Sequence, residues 1–232
     1  MRWDAPPPSP LDKPPSGITA AELVFRRLLH AILNGELPAD SLETEERLAT
    51  RYDVSRTPLR DALRRLEQLR LLRREAKGLR IPPLTMAEMH ELSATREVLE
   101  GLLAASAARR VAQGLANPAR LRDIHARHSR VQALGDAELI LSVGLDFHEE
   151  LRRLAANHSA AACHEQVMLG FERYRHLARG VPERPGHIAD EHSEILDAIE
   201  AGDAQAAETA MRRHIAAGRE LYAAVLSGTL KP

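Results

Sequence analysis

Aromatic residues make up only 3% of the 232 positions, which excludes the Tyr- and Phe-rich alternation from which a β-sandwich is built. Cysteine occurs once, at Cys163, so neither an intrachain disulfide framework nor a cysteine-based zinc finger is available. No apolar run approaches the ~18–20 residues that cross a bilayer. The opening stretch MRWDAPPPSPLDKPPSG contains no apolar signal core. These absences point to a cytoplasmic chain that holds its shape by packing alone. What is abundant is Ala, Leu and Arg, within 44% hydrophobic and 28% charged residues, a composition suited to helices.

Net charge is also lacking, at a formal −1, but its distribution is uneven. Residues 45–80 hold eleven Arg and Lys against six Asp and Glu, a local +5, which leaves 21 basic and 27 acidic residues, or −6, for the rest. A basic segment on an acidic body is the pattern of an anion-binding module joined to a second domain.

Residues 1–17 carry six prolines and almost no apolar side chains, so they are expected to form a disordered arm. Thr19-Ala-Ala-Glu22 then has capping-box spacing and opens a helix to Asn34. Thr44 caps a short helix to Tyr52, Asp53-Val54 breaks it, and Ser55 caps a third from Arg56 to Leu69. Short strands at Leu71–Arg74 and Leu79–Pro82 flank Ala76-Lys77-Gly78. Residues 18–82 therefore read as three helices with a two-stranded wing, and Pro82-Pro83 as a stiff joint. Beyond it, 83–232 is almost wholly helical. Helices are expected at 85–113, 118–134, 136–156, 159–179, 187–201 and 203–226, packed as an antiparallel bundle. The fold class is mainly α, a winged helix-turn-helix followed by an all-helical bundle.

Two helices about a four-residue break between Glu45 and Leu69 give helix-turn-helix geometry. In the second, Leu59, Ala62, Leu63, Leu66 and Leu69 form an apolar stripe, and Arg56, Arg60 and Arg64 form a ridge on another side. Ser55 and Thr57 place hydroxyls near unpaired N–H groups, suited to phosphate oxygens. Arg56 and Arg60 present guanidinium forks that match guanine O6 and N7. The run Asp53-Val-Ser-Arg-Thr-Pro-Leu-Arg-Asp-Ala-Leu-Arg-Arg-Leu-Glu67 resembles the signature of the GntR family of bacterial transcription regulators, with similarity from Ala21 through the Lys77-Gly78 wing. The resemblance implies that Ser55, Arg56, Thr57 and Arg60 touch operator DNA and that Gly78 lies against the minor groove. Some relatives place a DNA-contacting Arg where this chain has Glu46, so that contact is not implied.

Of eleven histidines, His30, His125, His128 and His176 read as ordinary surface residues. Three others sit on apolar stripes of three different helices: His148 with Leu141, Leu145 and Leu151; His192 with Ile188, Ile195 and Ile199; His214 with Met211, Gly218 and Leu221. Neutral imidazoles converging from three helices are what Zn or Ni binds. Arg96 falls among Met89, Leu92, Leu99 and Leu103, where an unpaired cation is costly. Either it pairs with Glu100 one turn on, or it receives an anionic ligand.

Residues 85–226 resemble the FCD domain, the helical effector domain of the FadR branch of that family. The matches include Arg96 to Glu100, Phe147-His148, Asn157, Glu191-His192, Gly202-Asp203 and Met211 with His214. Metal-binding members place an Asp one turn before the first His, followed by three His. Here Gly144 stands at that position, and Asp146 lies about 200° around the helix from His148 and should face elsewhere. Two outcomes stay open: an ion on three histidines with water or an effector carboxylate, or no ion. The resemblance implies an effector-responsive repressor acting as a homodimer on double-stranded operator DNA, controlled by a small carboxylate or sugar acid. A three-His metal hydrolase is the rival reading. It lacks an HExxH motif or nucleophile elbow, and Glu149 and Glu150 do not share the inward stripe of His148.

Overall fold

The structure of the protein is a computed structural model describing residues 17–135, 137–177, 188–228 and 230. Apart from Gly17, the expected arm lies outside these residues, as do the expected helix positions 136, 178, 179 and 187. In chain order the elements are α1 (Ala20–Leu33), β1 (Leu42–Glu43), α2 (Glu45–Tyr52), α3 (Arg56–Gln68), β2 (Arg73–Glu75), β3 (Gly78–Arg80), α4 (Met86–Ala112), α5 (Ala119–Leu134), α6 (Ala137–Ala155), α7 (His158–Leu177), α8 (Ile188–Glu200) and α9 (Ala204–Leu226). No helix among the described residues is long and apolar enough to cross a membrane.

These elements fall into two compact units. The first holds residues up to Thr85 together with Leu169–Leu177. Its first two helices begin where short polar side chains cap them: the Thr19 hydroxyl accepts the Glu22 N–H at 3.1 Å, and the Thr44 hydroxyl accepts that of Arg47 at 3.2 Å. The Glu22 carboxylate pairs with Arg26 and Arg65. Asp53 ends α2 in the left-handed conformation, which Asp tolerates better than most residues. Leu28, Leu48, Leu59, Leu63, Leu66, Leu71 and Leu79 then meet in one buried cluster. The sheet corrects the sequence reading. It has three strands in the order β1-β3-β2, because Leu42 and Glu43 pair antiparallel with Arg80 and Leu79. A two-residue strand carries too little alternation to be seen in sequence. Nor do the compact units follow one cut after Pro82. Leu169 joins the first core, the Tyr174 hydroxyl accepts the Thr85 N–H at 3.2 Å, and Arg173 donates to the Pro82 carbonyl.

In the second unit α4 packs along α9, α6 and α8, while α5 packs against α6 and α8. Ala104, Ala107 and Ala108 on α4 are fully buried and let neighbouring helices approach closely. Leu103, Phe147, Leu151, Ile195, Ile199, Met211 and Ile215 fill the core around them. Asp203 caps α9 by accepting the Ala206 N–H at 2.9 Å, and Asn157 accepts the Ala160 N–H at 3.1 Å. Three helices thus present His148 (α6), His192 (α8) and His214 (α9) toward one another.

Candidate functional site

In the first unit, Ser55, Arg56, Thr57 and Arg60 are all exposed around the N-terminus of α3. Ser55 occupies the N-cap backbone position, but its side chain makes no cap hydrogen bond, contrary to the sequence expectation. The two arginines meet acidic residues of α2. Arg60 Nε lies 2.9 Å from Glu45 Oε2, Arg74 Nη1 lies 2.9 Å from Glu45 Oε1, and Arg56 approaches Glu46 at 3.5 Å. Hydrogen bonds from Arg60 and Arg74 hold the Glu45 carboxyl below its usual range, so it is ionised at neutral pH. Gly78 starts β3 at φ +145°, where a Cβ would stand 2.4 Å from the Glu43 carbonyl oxygen. The glycine is therefore required by the β1 backbone, whatever else it touches.

In the second unit the structure brings the three predicted imidazoles together. His148, His192 and His214 each offer a ring nitrogen such that all three atoms lie within 4.8 Å of one another. His148 Nδ1 lies 2.5 Å from Glu100 Oε2, and His214 Nδ1 lies 2.8 Å from Glu191 Oε2. A carboxylate can only accept, so each Nδ1 carries a proton and each Nε2 is turned away from its carboxylate. Those two Nε2 atoms face one another at 3.2 Å. Burial pushes His148 down to about 4 in spite of Glu100, and pushes His192 well below its ordinary value, so both are neutral. A contact of this length is satisfied by one proton on either Nε2, as a hydrogen bond, or by an ion that both lone pairs ligate. Donors around a tetrahedral ion at ~2.0–2.1 Å stand about 3.3 Å apart; the His148–His214 pair matches that spacing, and with His192 the three atoms lie within 4.8 Å, a donor set that suits a divalent metal. His192 Nε2, buried with no hydrogen-bond partner, is a third candidate ligand atom.

Arg96 has the partner that the sequence offered as one alternative. Its Nε lies 2.5 Å from Glu100 Oε1, on a carboxylate only 2% exposed. Burial alone would raise the Glu100 carboxyl, but Arg96, His148 and His164 hold it well below its usual range. Glu100 therefore joins Arg96 to His148, a role its place in the sequence motif did not disclose. His164 Nε2 completes the group, 3.2 Å from Glu100 Oε1. Asp146 pairs with Arg127, as expected for a side chain facing away from His148.

Both acids after His148 are held by arginines: Glu150 is buried against Arg153 and Arg120, and Glu149 pairs with Arg152. One reading needs correction. His128, read as a surface residue, is 0% exposed, with its Nδ1 3.1 Å from His192 Nδ1. The signal was present, since Leu121, Ile124, His128 and Val131 follow one helical stripe, but Arg127 and Arg130 beside His128 obscured it.

Comparison with known proteins accounts for both units. The family model for bacterial regulatory proteins of the gntR family matches residues 20–78, and that for the FCD domain matches residues 91–217. A probable D-xylose utilization operon transcriptional repressor of Paenarthrobacter nicotinovorans is 30% identical over 201 residues, 86% of this chain and 87% of its own length. The chain belongs to the GntR family, with a C-terminal FCD domain. This GntR protein is a DNA-binding transcription regulator. It is also 22% identical to the transcriptional repressor RspR of Escherichia coli K12, over 83% of this chain and 82% of that one. In fold it is similar to Escherichia coli McbR/YncC, with a TM-score of 0.69 at 20% identity over 88% of this chain and 97% of the other.

Proposed function

We propose that this regulator is a cytoplasmic, homodimeric repressor whose grip on operator DNA is controlled by a small anionic metabolite bound at a divalent metal in the FCD domain. Residues 18–82 carry the DNA-binding function and 83–232 the effector-binding and dimerisation function, with Leu169–Leu177 lending packing to the first compact unit. The observation that carries the effector half is the pair of Nε2 atoms 3.2 Å apart on His148 and His214, with a His192 ring nitrogen within 4.8 Å of both. Zn or Ni fits three imidazoles. With Gly144 in place of an Asp, the protein supplies one negative charge fewer, which favours an anionic exogenous ligand. The ion, when bound, supplies a Lewis-acidic anchor for a carboxylate oxygen. Arg96 grips that ligand only in competition with Glu100, since the two are already paired at 2.5 Å.

For the DNA half, Ser55 and Thr57 take phosphate oxygens, Arg56 and Arg60 read base edges in the major groove, and Gly78 brings the wing backbone close to the minor groove. Replacing Arg56 or Arg60 with Ala is expected to weaken operator binding by about 1–3 kcal/mol and relax preference at one base pair. Both side chains are exposed, so stability should barely change. A gel shift on DNA flanking the gene, at ~150 mM salt, checks this; parent-like binding by both variants refutes the contact assignment. One α3 helix reads few base pairs, whereas a two-fold dimer reads a pseudopalindrome. Light scattering is accordingly expected to give twice the 25.7 kDa of one chain, and a monomer that still protects a symmetric operator would contradict the dimer.

A further inference from the structure

We propose that His128 is a positioning residue of the metal centre: the outer partner of His192 that fixes which of its ring nitrogens faces the ion. The inference rests on the metal reading above. His148 is backed by Glu100 and His214 by Glu191, both through Nδ1. Outer partners of this kind set tautomer and ring orientation in metal sites generally. Among the described residues, the Nδ1 of His192 has no carboxylate in that place. It has His128, with Nδ1 facing Nδ1 at 3.1 Å and both rings fully buried. His192 is further clamped by Phe147, which stacks on it with centroids 4.1 Å apart and planes inclined by 9°.

One proton lies between two such nitrogens, and it can sit in only two ways. If His128 holds it, His192 carries its own proton on Nε2 and cannot ligate. If His192 holds it, Nδ1–H donates to His128 and the His192 Nε2 lone pair is free for the ion. Metal binding accepts only the second arrangement, which puts the His128 proton on its own Nε2. Both Nε2 atoms are buried without partners, so each arrangement leaves one N–H unsatisfied until something occupies the site. Gly144 borders the contact. A Cβ there would already touch His128 Cε1 at 3.6 Å and His192 Cε1 at 3.9 Å, so a longer side chain would have to contend with both rings. The glycine that removes a carboxylate also leaves space for the His128 ring beside His192.

The test uses the full chain and Zn²⁺ or Co²⁺ alone. His128→Asn keeps an acceptor oxygen near the place of Nδ1, whereas His128→Leu removes it. Competition with a chromophoric chelator should show Zn²⁺ binding weakened about 10–100-fold in His128→Leu and recovered to within a few-fold of the parent in His128→Asn. X-ray absorption should count three imidazoles on the ion in the parent and in both variants. Parent-like affinity in His128→Leu, equal loss in both variants, or one imidazole fewer in His128→Leu than in the parent overturns the positioning role while leaving the metal reading intact. A parent that takes up no metal overturns both. Should His128→Leu fail to fold, long-range ¹H–¹⁵N spectra of the Zn²⁺-loaded parent decide: a proton on His192 Nδ1 supports the proposal and one on Nε2 refutes it.

Discussion

Replacing Glu100 with Ala is expected to cost about 3–5 kcal/mol of folding stability, the range for removing one partner of a buried ion pair. The carboxylate is 2% exposed and takes Arg96 at 2.5 Å, His148 at 2.5 Å and His164 at 3.2 Å. Without it the Arg96 guanidinium, whose side chain is 14% exposed, stays largely desolvated beside a neutral histidine. His148 Nδ1–H also loses its acceptor, adding the penalty of an orphaned donor. Glu100→Gln, which keeps the shape and one acceptor oxygen, should fall between. Urea unfolding of the metal-free proteins measures both, and a loss below about 1 kcal/mol for Glu100→Ala would mean that water readily replaces the carboxylate.

Acidifying the metal-free protein from pH 7 to pH 5 is expected to lower its stability by several kcal/mol. His148 and His128 each protonate at about 4 in the folded state, because burial disfavours the charged ring, against an ordinary value of 6.5. Between those values the unfolded chain binds more protons, so stability is fully present above 6.5, declines as pH falls, and is exhausted near 4. By pH 5 each ring accounts for about 2 kcal/mol. His192 shifts in the same direction. Urea midpoints at pH 7, 6 and 5 test this, and His128→Gln should remove one ring's share of the slope. A midpoint independent of pH over this interval would contradict the burial of these imidazoles.

The helices were legible because their determinants are local. Thr19, Thr44 and Asp203 cap through hydrogen bonds three residues long, and the α3 stripe of Leu59, Leu63 and Leu66 follows directly from helical period. The three clustered histidines were legible for the same reason, each sitting among apolar neighbours on its own helix. What escaped was non-local. The Arg96–Glu100 pair was within reach of the sequence, one turn apart, but the burial of Glu100 depends on His148 and His164 arriving from other helices, and charged residues in isolation read as surface. β1 exists only through its pairing with β3, 36 and more residues later, as in Glu43↔Leu79.

That small strand has a consequence for how the regulator meets a duplex. β1 ends at Glu43 and α2 starts at Glu45, so the wing is stitched to the helix-turn-helix at both ends, through β1 into α2 and through α3 into β2. Glu45 adds a clasp between Arg60 of α3 and Arg74 of β2. Hairpin and recognition helix therefore travel as one rigid tool. Their relative orientation is settled during folding, and a groove-bound complex need not lose that configurational freedom a second time.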